Sequence, residues 1–463
     1  MSSVIFHLPP PMQKRAFHLM LAHAKQVHEE GEPVILTHCN LQAGTCSSNL
    51  TGSRLICAAC RHSTRKTAED VGLELVPLDM PEENATSNHL SRNENAELIE
   101  GVNSCLITLL RVLKYDLNRL PLLKAIKRRN FRTASALLKS MNVLLSKRKV
   151  HRIEVLNGRY ACMKIGLIAA RKFGLPFNTL DFSCVGKPMV FRGHTPHNRS
   201  AIQERIRRNP TDVEVAQEYY SARKDRRLNP FARKHQYFEL PSAPPDTQKK
   251  IAFFLSSQDE CESLGPEWRS PFRNTAEVVE QACKAYPEYY FCVRFHPNQS
   301  KILSDITSDY HHLQNLSNLR IYYPTDEINT YSLVDWSDVV VTFASTVAIE
   351  ACWSGKAVVQ LGPSFFDQLD ISYTPGSLDE FITLLGTNTK PWPNDAAVQF
   401  ANYDMNDFDE LRYLDYSAGE EKPVGFHRKG SALATPAKKA NNLANKILQK
   451  IIGSQLARSR DAA

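Results

Sequence analysis

Residues 338–362 read Asp-Val-Val-Val-Thr-Phe-Ala-Ser-Thr-Val-Ala-Ile-Glu-Ala-Cys-Trp-Ser-Gly-Lys-Ala-Val-Val-Gln-Leu-Gly. The spacing predicts a buried strand over 338–342, a tight polar turn at Ser345-Thr346, a short helix to residue 354 and a second buried strand over 357–361. Such a βαβ unit commits the chain to a parallel sheet covered on both faces, because its crossover returns to the same end of the sheet. At the turn, the hydroxyls of Ser345 and Thr346 sit beside orphan amides and the positive end of a helix dipole, a combination suited to phosphate. Glu350 follows Thr346 by one helical turn, on the face nearest that phosphate and within reach of a sugar hydroxyl. The stretch is expected to be a nucleotide-sugar site.

The same alternation runs upstream. Strands over 251–255, 289–295 and 319–323 end in Ser256-Ser257-Gln-Asp259-Glu260, His296-Pro297-Asn298 and Pro324-Thr-Asp-Glu, and the last strand ends in Gly362-Pro-Ser364. Any one of these is ordinarily a cap or a turn. Together with the Ser345-Thr346 turn they make five at the carboxyl ends of strands, and these mark the edge at which doubly wound sheets bind ligands. His296, with Pro297 fixing the backbone after it, is placed to donate to a phosphate oxygen and assist a leaving group without a catalytic metal.

The first half reads as another α/β layer. Strands are expected at 4–8, 33–37, 73–78, 151–156 and 176–182, and helices at 13–30, 96–115, 121–129, 131–145 and 160–173. Asn157-Gly158-Arg159 closes the fourth strand and Asp181 the fifth; these face a ligand crevice or form ordinary turns. At 463 residues the chain exceeds one core. The proline-rich 239–248 is the best linker, giving a first domain over 1–240, a linker at 241–250, a second domain over 251–435, and an amphipathic helix over 436–463 that packs back on the body.

Charge is uneven. Residues 111–152 hold thirteen Lys or Arg against Asp116 alone, so this segment carries +12 of a net +8 and the remainder sums to −4. That asymmetry points to an anionic partner, lipid, glycan or nucleic acid, or to solvated helix faces; nucleic acid is disfavoured because no recognition module accompanies the charge. No apolar run approaches the ~20 residues of a membrane span and the start lacks a signal-peptide pattern, so a cytoplasmic protein is expected. Cys39, Cys46, Cys57 and Cys60 fall within 22 residues. They close on a structural zinc, form a redox pair, or pack the loop as free thiols.

Four stretches carry a family resemblance: residues 254–260 (Phe-Leu-Ser-Ser-Gln-Asp-Glu), 293–298 (Val-Arg-Phe-His-Pro-Asn), 337–352 around Ser345-Thr346, and 355–358 (Gly-Lys-Ala-Val). They resemble bacterial capsule and surface polysaccharide biosynthesis proteins of the GT-B glycosyltransferase type. The His-Pro and Ser-Thr motifs are also similar to those of bacterial sialyltransferases and Kdo transferases. The resemblance implies two Rossmann-like domains facing one cleft. It implies a nucleotide-sugar donor, CMP- or UDP-linked, held by Ser256, Ser257, His296, Pro297, Ser345, Thr346 and Glu350, with Asn157 and Arg159 on the first-domain side. Asp181, with Glu260 or Asp259 as runner-up, is expected to act as base toward an anionic or lipid-linked glycan acceptor at the cytosolic face of a membrane. A nucleotide-sugar epimerase, a polyol-phosphate transferase and a non-catalytic scaffold share the pattern.

Overall fold

The computed structural model of the protein describes residues 2–41, 44–79, 90–225, 240–415, 422–423 and 433–461. Contacts divide the chain into two units, Met1–Pro196 with Phe408–Ala463, and His197–Asp407.

The first unit is built on β1 (Ser3–His7), β2 (Val34–Cys39), β3 (Glu74–Leu78), β4 (Val150–Leu156), β5 (Phe177–Phe182) and β6 (Pro188–Arg192). They form one sheet in the order β3-β2-β1-β4-β5-β6, parallel except for β6, which turns back antiparallel on β5. Pro188 can open β6 because a first strand residue at the sheet edge need not donate to a ladder. Before residue 197 the unit holds the helices α1 (Lys14–Glu29), α2 (Arg54–Val71), α3 (Arg92–Leu110), α4 (Asp116–Arg119), α5 (Pro121–Lys147) and α6 (Ala161–Lys172). The Ser91–Glu94 capping box starts α3, and Ser53 and Gly72 cap the two ends of α2. The two basic helices expected over 121–145 are one, because its buried face from Leu123 and Ile126 through Ala134 to Leu138 and Met141 runs unbroken past Asn130.

The second unit holds α7 (Arg199–Arg207), α8 (Val213–Lys224), β7 (Lys249–Phe254), α9 (Gln258–Leu264), α10 (Thr275–Ala285), β8 (Tyr289–Arg294), β9 (Leu319–Tyr322), α11 (Thr330–Trp336), β10 (Val339–Thr342), α12 (Val347–Trp353), β11 (Ala357–Gln360), α13 (Leu378–Gly386) and α14 (Asp395–Asn406). Its five strands are all parallel, in the order β11-β10-β7-β8-β9. All four residues of β10 are buried, as are all four of β11. Each such valine contributes about 1.5–3 kcal/mol relative to exposure, and both strands of the βαβ unit are buried in full even though β11 ends the sheet.

The expectation of two Rossmann-like α/β units is met. Their limits differ from the expected domains. Helices α7 and α8 fasten to the second unit: Arg205 grips Asp407 through Nε at 2.8 Å and Nη2 at 2.7 Å, and the Tyr220 hydroxyl donates to the Ala397 carbonyl at 2.8 Å. The boundary therefore falls at Pro196–His197, ahead of the 241–250 segment, whose prolines made it look like the hinge. Residues 226–239 lie outside the described residues. After Asp407 the chain rejoins the first unit, where Asp409 accepts the Val190 amide at 2.7 Å. The last helix, α15 (Ala434–Asp461), lies on α2 and α3 of that unit.

Candidate active site

In the second sheet the chain runs outward from β7 through β8 to β9 and then reappears at β10 on the other side of β7. A reversal of this kind opens a crevice at the carboxyl ends of the two strands, the place where open α/β sheets take ligands. The loops meet there. Ser256, after β7, accepts the Ala344 amide on its hydroxyl at 2.8 Å, and Ser345 accepts the Val347 amide at 3.2 Å. Gly362, after β11, passes so close that a Cβ would lie 1.8 Å from the Phe343 carbonyl oxygen; only glycine permits that approach. On the neighbouring β8, the Asn298 amide donates to His296 Nδ1 at 3.2 Å and Gln299 Oε1 accepts the His296 amide at 2.8 Å. With Nδ1 accepting, the proton of the neutral ring sits on Nε2, making that nitrogen the donor. Asn298 Nδ2 also donates to Glu260 Oε1 at 3.2 Å, tying the β7 and β8 loops together. Ser257 is turned inward, buried, its hydroxyl donating to the buried Asp259 at 2.6 Å.

Thr346 and Glu350 have a partner that the sequence did not announce. Arg223 of α8 donates to Glu350 Oε1 through Nε at 3.0 Å and Nη2 at 2.6 Å, and Nη2 lies 3.4 Å from Thr346 Oγ1. Both side chains are about nine-tenths buried. Burial opposes the guanidinium charge, but Glu350 and the nearby tyrosines outweigh it and hold Arg223 more firmly protonated than an ordinary arginine. Glu350, expected beside ribose hydroxyls, thus spends Oε1 on an ion pair. Arg223 sits in a helix dense with charge, where nothing in a single sequence marks one arginine as buried; the adjacent Tyr219 and Tyr220 were the available hint of an inward face.

The first sheet repeats the reversal, between β1 and β4. At the carboxyl ends of those strands lies a pocket of ≈ 310 Å³ that includes Asn157, Arg159 and Asp181 with Lys14, Arg15 and Lys438. Asn157 has φ +54° and Gly158 φ +72°, and a Cβ on Gly158 would strike Leu167 Cδ1 at 2.3 Å. The left-handed pair turns the chain sharply, and Asn157 Nδ2 donates to Asp181 Oδ2. Asp181 Oδ1 accepts the Phe182 amide at 2.9 Å. Burial lifts the Asp181 carboxyl above its ordinary range, against the pull of Phe182 N–H, Asn157, Arg159 and Arg15. The Arg15 guanidinium stacks 3.8 Å over the Phe182 ring and donates to the Gly186 carbonyl, and Arg159 donates to the Tyr160 hydroxyl at 3.1 Å. Three expected residues thus share one pocket. Lys438 and Arg15 escaped notice because they reach it from α15 and α1, far away in sequence.

Zinc, a redox pair and free packing thiols are the three alternatives for Cys39, Cys46, Cys57 and Cys60, and the four line one pocket of the first unit. Cys57 and Cys60 lie on α2, not on a knuckle, and with Cys39, Cys46 and Cys162 they line a small apolar pocket. Among the described residues no group of three or more His, Cys, Asp or Glu side chains is placed to hold a metal ion. Asn49 Nδ2 donates to Cys57 Sγ at 3.1 Å, and burial pushes the Cys39 thiol up to about 12 and Cys46 and Cys60 upward as well.

The fold and the sites define an α/β protein of two Rossmann-like units with polar groups gathered at a switch point in each. Residues 215–392 match the family model described as capsule polysaccharide biosynthesis protein. The match spans less than half of the chain and contains all four stretches that carried the resemblance, which it bears out. Among solved structures the chain is similar to a beta Kdo 2,4 transferase, KpsC of Thermosulfurimonas dismutans, at 14% identity over 60% of this chain and 85% of that one, with a TM-score of 0.36. It is also similar to the UDP-GlcNAc 2-epimerase of Neisseria meningitidis bound to UDP-GlcNAc, at 11% identity over 88% and 99% of the two chains, with a TM-score of 0.30. Likenesses this distant carry no argument about the reaction. No curated protein matches the chain.

Proposed function

We propose that the protein is a glycosyltransferase of capsule-type polysaccharide assembly, moving a sugar from a CMP- or UDP-linked donor to an anionic or lipid-linked glycan acceptor. The observation that carries the reading is the tying of the Ser256, His296 and Ser345 loops at the β7/β10 switch point, inside the segment that matches the capsule family. The bond from the anomeric carbon to the donor phosphate breaks and a bond from the acceptor oxygen forms. His296 Nε2–H, the Ser345 hydroxyl and nearby amides meet the charge left on the departing phosphate, where fixed donors are worth most. Asp181 is the base that takes the acceptor hydroxyl proton, and Lys14, Arg15, Arg159 and Lys438 attract an anionic acceptor. The reading assigns the leaving-group charge to these donors without calling on a metal, and places the work in the cytoplasm.

The test is turnover of CMP- and UDP-sugars by purified protein, followed by mass spectrometry of the acceptor product. His296→Ala should lower kcat by at least about 100-fold with an unchanged melting curve; full turnover by the variant would sink the assignment.

Asp181 adds a pH signature. A base must be ionised, so kcat/KM should fall as pH drops through the Asp181 pKa, along a limb above the ordinary aspartate value of 3.8. Arg159 pulls that pKa down, so Arg159→Gln should move the limb to higher pH. A limb that stays put in Arg159→Gln and persists in Asp181→Asn removes Asp181 from the role.

A further inference from the structure

We propose that the outer face of α15 lays the first unit flat on an anionic phospholipid bilayer. This deepens the function proposed above by naming the surface that would meet a lipid-linked acceptor, and it rests on that reading for its purpose, though its test needs no turnover.

Helix α15 has two faces. Ala434, Ala437, Ile452 and Leu456 are buried; Ala437 packs with Met12 and Ile56, and Gln449 Nε2 donates to the Leu109 carbonyl at 3.0 Å. The helix is therefore seated on the unit. On the opposite side Leu443, Ile447 and Ile451 are 62%, 50% and 43% exposed. Spaced four apart, they form a continuous aliphatic ridge facing water, which a helix that only needs to pack against its own domain has no reason to keep. Lys439, Lys446 and Lys450, all exposed, fall along one flank of that ridge at about 100° per residue.

The occupant follows from charge. From residue 434 to residue 461 the sequence has six Lys or Arg and one acidic residue, Asp461. A second copy meeting this ridge about a two-fold axis would bring the same lysine flank against itself, a repulsive contact. An anionic bilayer answers both features: aliphatic side chains enter the headgroup boundary while lysine stems lie along it with their charges at phosphate level. The structure extends the surface past the helix end. Arg119 Nη2 donates to the Ser459 carbonyl at 3.0 Å, which sets the start of the 111–152 basic segment and the 52% exposed Tyr115 near the carboxyl end of α15. Tyrosine is suited to the interface, its ring apolar and its hydroxyl wet.

Co-sedimentation of the full chain with extruded vesicles tests the proposal. With phosphatidylcholine containing roughly one third phosphatidylglycerol at low salt, the protein should pellet; with phosphatidylcholine alone it should stay in solution. Leu443→Gln/Ile447→Gln/Ile451→Gln, and separately Lys439→Gln/Lys446→Gln/Lys450→Gln, should each lower the bound-to-free ratio by about 10-fold or more. All six positions are exposed, and circular dichroism melts check that each variant keeps its fold. No pelleting of the parent protein, pelleting unaffected by the aliphatic variant, or a parent dimer that this variant converts to monomer would each overturn the proposal, the last by making the ridge an interface between copies. His296→Ala should still pellet, so loss of turnover and loss of membrane docking fail separately.

Discussion

Taking the protein from pH 7 to pH 4 is expected to strip about 6 kcal/mol from the first unit through two histidines. His7 and His23 are buried in the unfavourable sense for a charge. Burial is the largest influence on each, and each is lowered from 6.5 to about 4. His7 lies on β1 with Nε2 2.8 Å from the Cys162 carbonyl and Nδ1 3.0 Å from Thr37 Oγ1, so a neutral ring donating from Nε2 and accepting at Nδ1 satisfies both. A second proton would remove that acceptor. The sign follows: a depressed histidine pKa contributes stability that is complete above 6.5 and is lost as pH falls toward 4, roughly 3 kcal/mol for each ring. Glu154 opposes the trend in part. Burial raises its pKa, so its cost at neutral pH is relieved on acidification. His7→Gln isolates one contribution, since it keeps a donor and an acceptor but does not titrate. Pulsed hydrogen exchange of β1 and β4 amides across a denaturant series, at pH values from 7 to 4, reads the first unit. The parent should lose stability along this series and His7→Gln should lose about 3 kcal/mol less; parallel curves would mean that His7 is not held neutral.

Local rules carried the second sheet far. Strand length, β-branching and short polar turns are written within a few residues of one another, so 338–362 could be read as βαβ and its partners found by repetition. The switch points were not legible, because strand order depends on which side of β7 and of β1 the chain returns to, a choice fixed by crossover packing rather than by any one segment. The first-unit pocket shows the same limit. Asn157 and Asp181 announced themselves at strand ends, but Arg15 and Lys438 enter from elements hundreds of residues apart. Proline content put the boundary elsewhere for a related reason: 241–250 opens with three prolines in five positions, yet the separation of units is decided by what α7 and α8 bury, Tyr219, Tyr220 and Ile206, against α14 and its neighbours. The cysteines stayed open among three readings because Cys-x-x-Cys spacing suits a knuckle and equally suits one face of a helix, and the Ser53 cap that starts α2 puts Cys57 and Cys60 on the latter.

Arg223→Ala is expected to destabilise the second unit by about 3–5 kcal/mol, the usual consequence of leaving one partner of a buried ion pair alone. The substitution strands the Glu350 carboxylate, 7% exposed, inside the unit and removes the guanidinium stacked 5.5 Å from the Tyr219 ring centre. The Tyr219 hydroxyl itself donates to Asp404 Oδ2 at 2.9 Å, so the pair anchors a chain of contacts from α12 through α8 to α14. All four tryptophans lie in this unit, and Trp353, at the end of α12, stacks on Tyr220 at 4.9 Å, so tryptophan fluorescence during denaturation reports the loss directly. Replacing both partners, Arg223→Met with Glu350→Met, should recover most of the stability, since two charges that no longer need burying cost nothing to leave out. A single substitution costing less than about 1 kcal/mol would show that the pair is hydrated in solution. The double variant also separates structure from chemistry. If Glu350 serves ribose as well as Arg223, the refolded double variant binds CMP or UDP more weakly than the parent despite its recovered stability. Unchanged nucleotide affinity would confine the carboxylate to holding α8 against the strand-end turn at Ser345-Thr346.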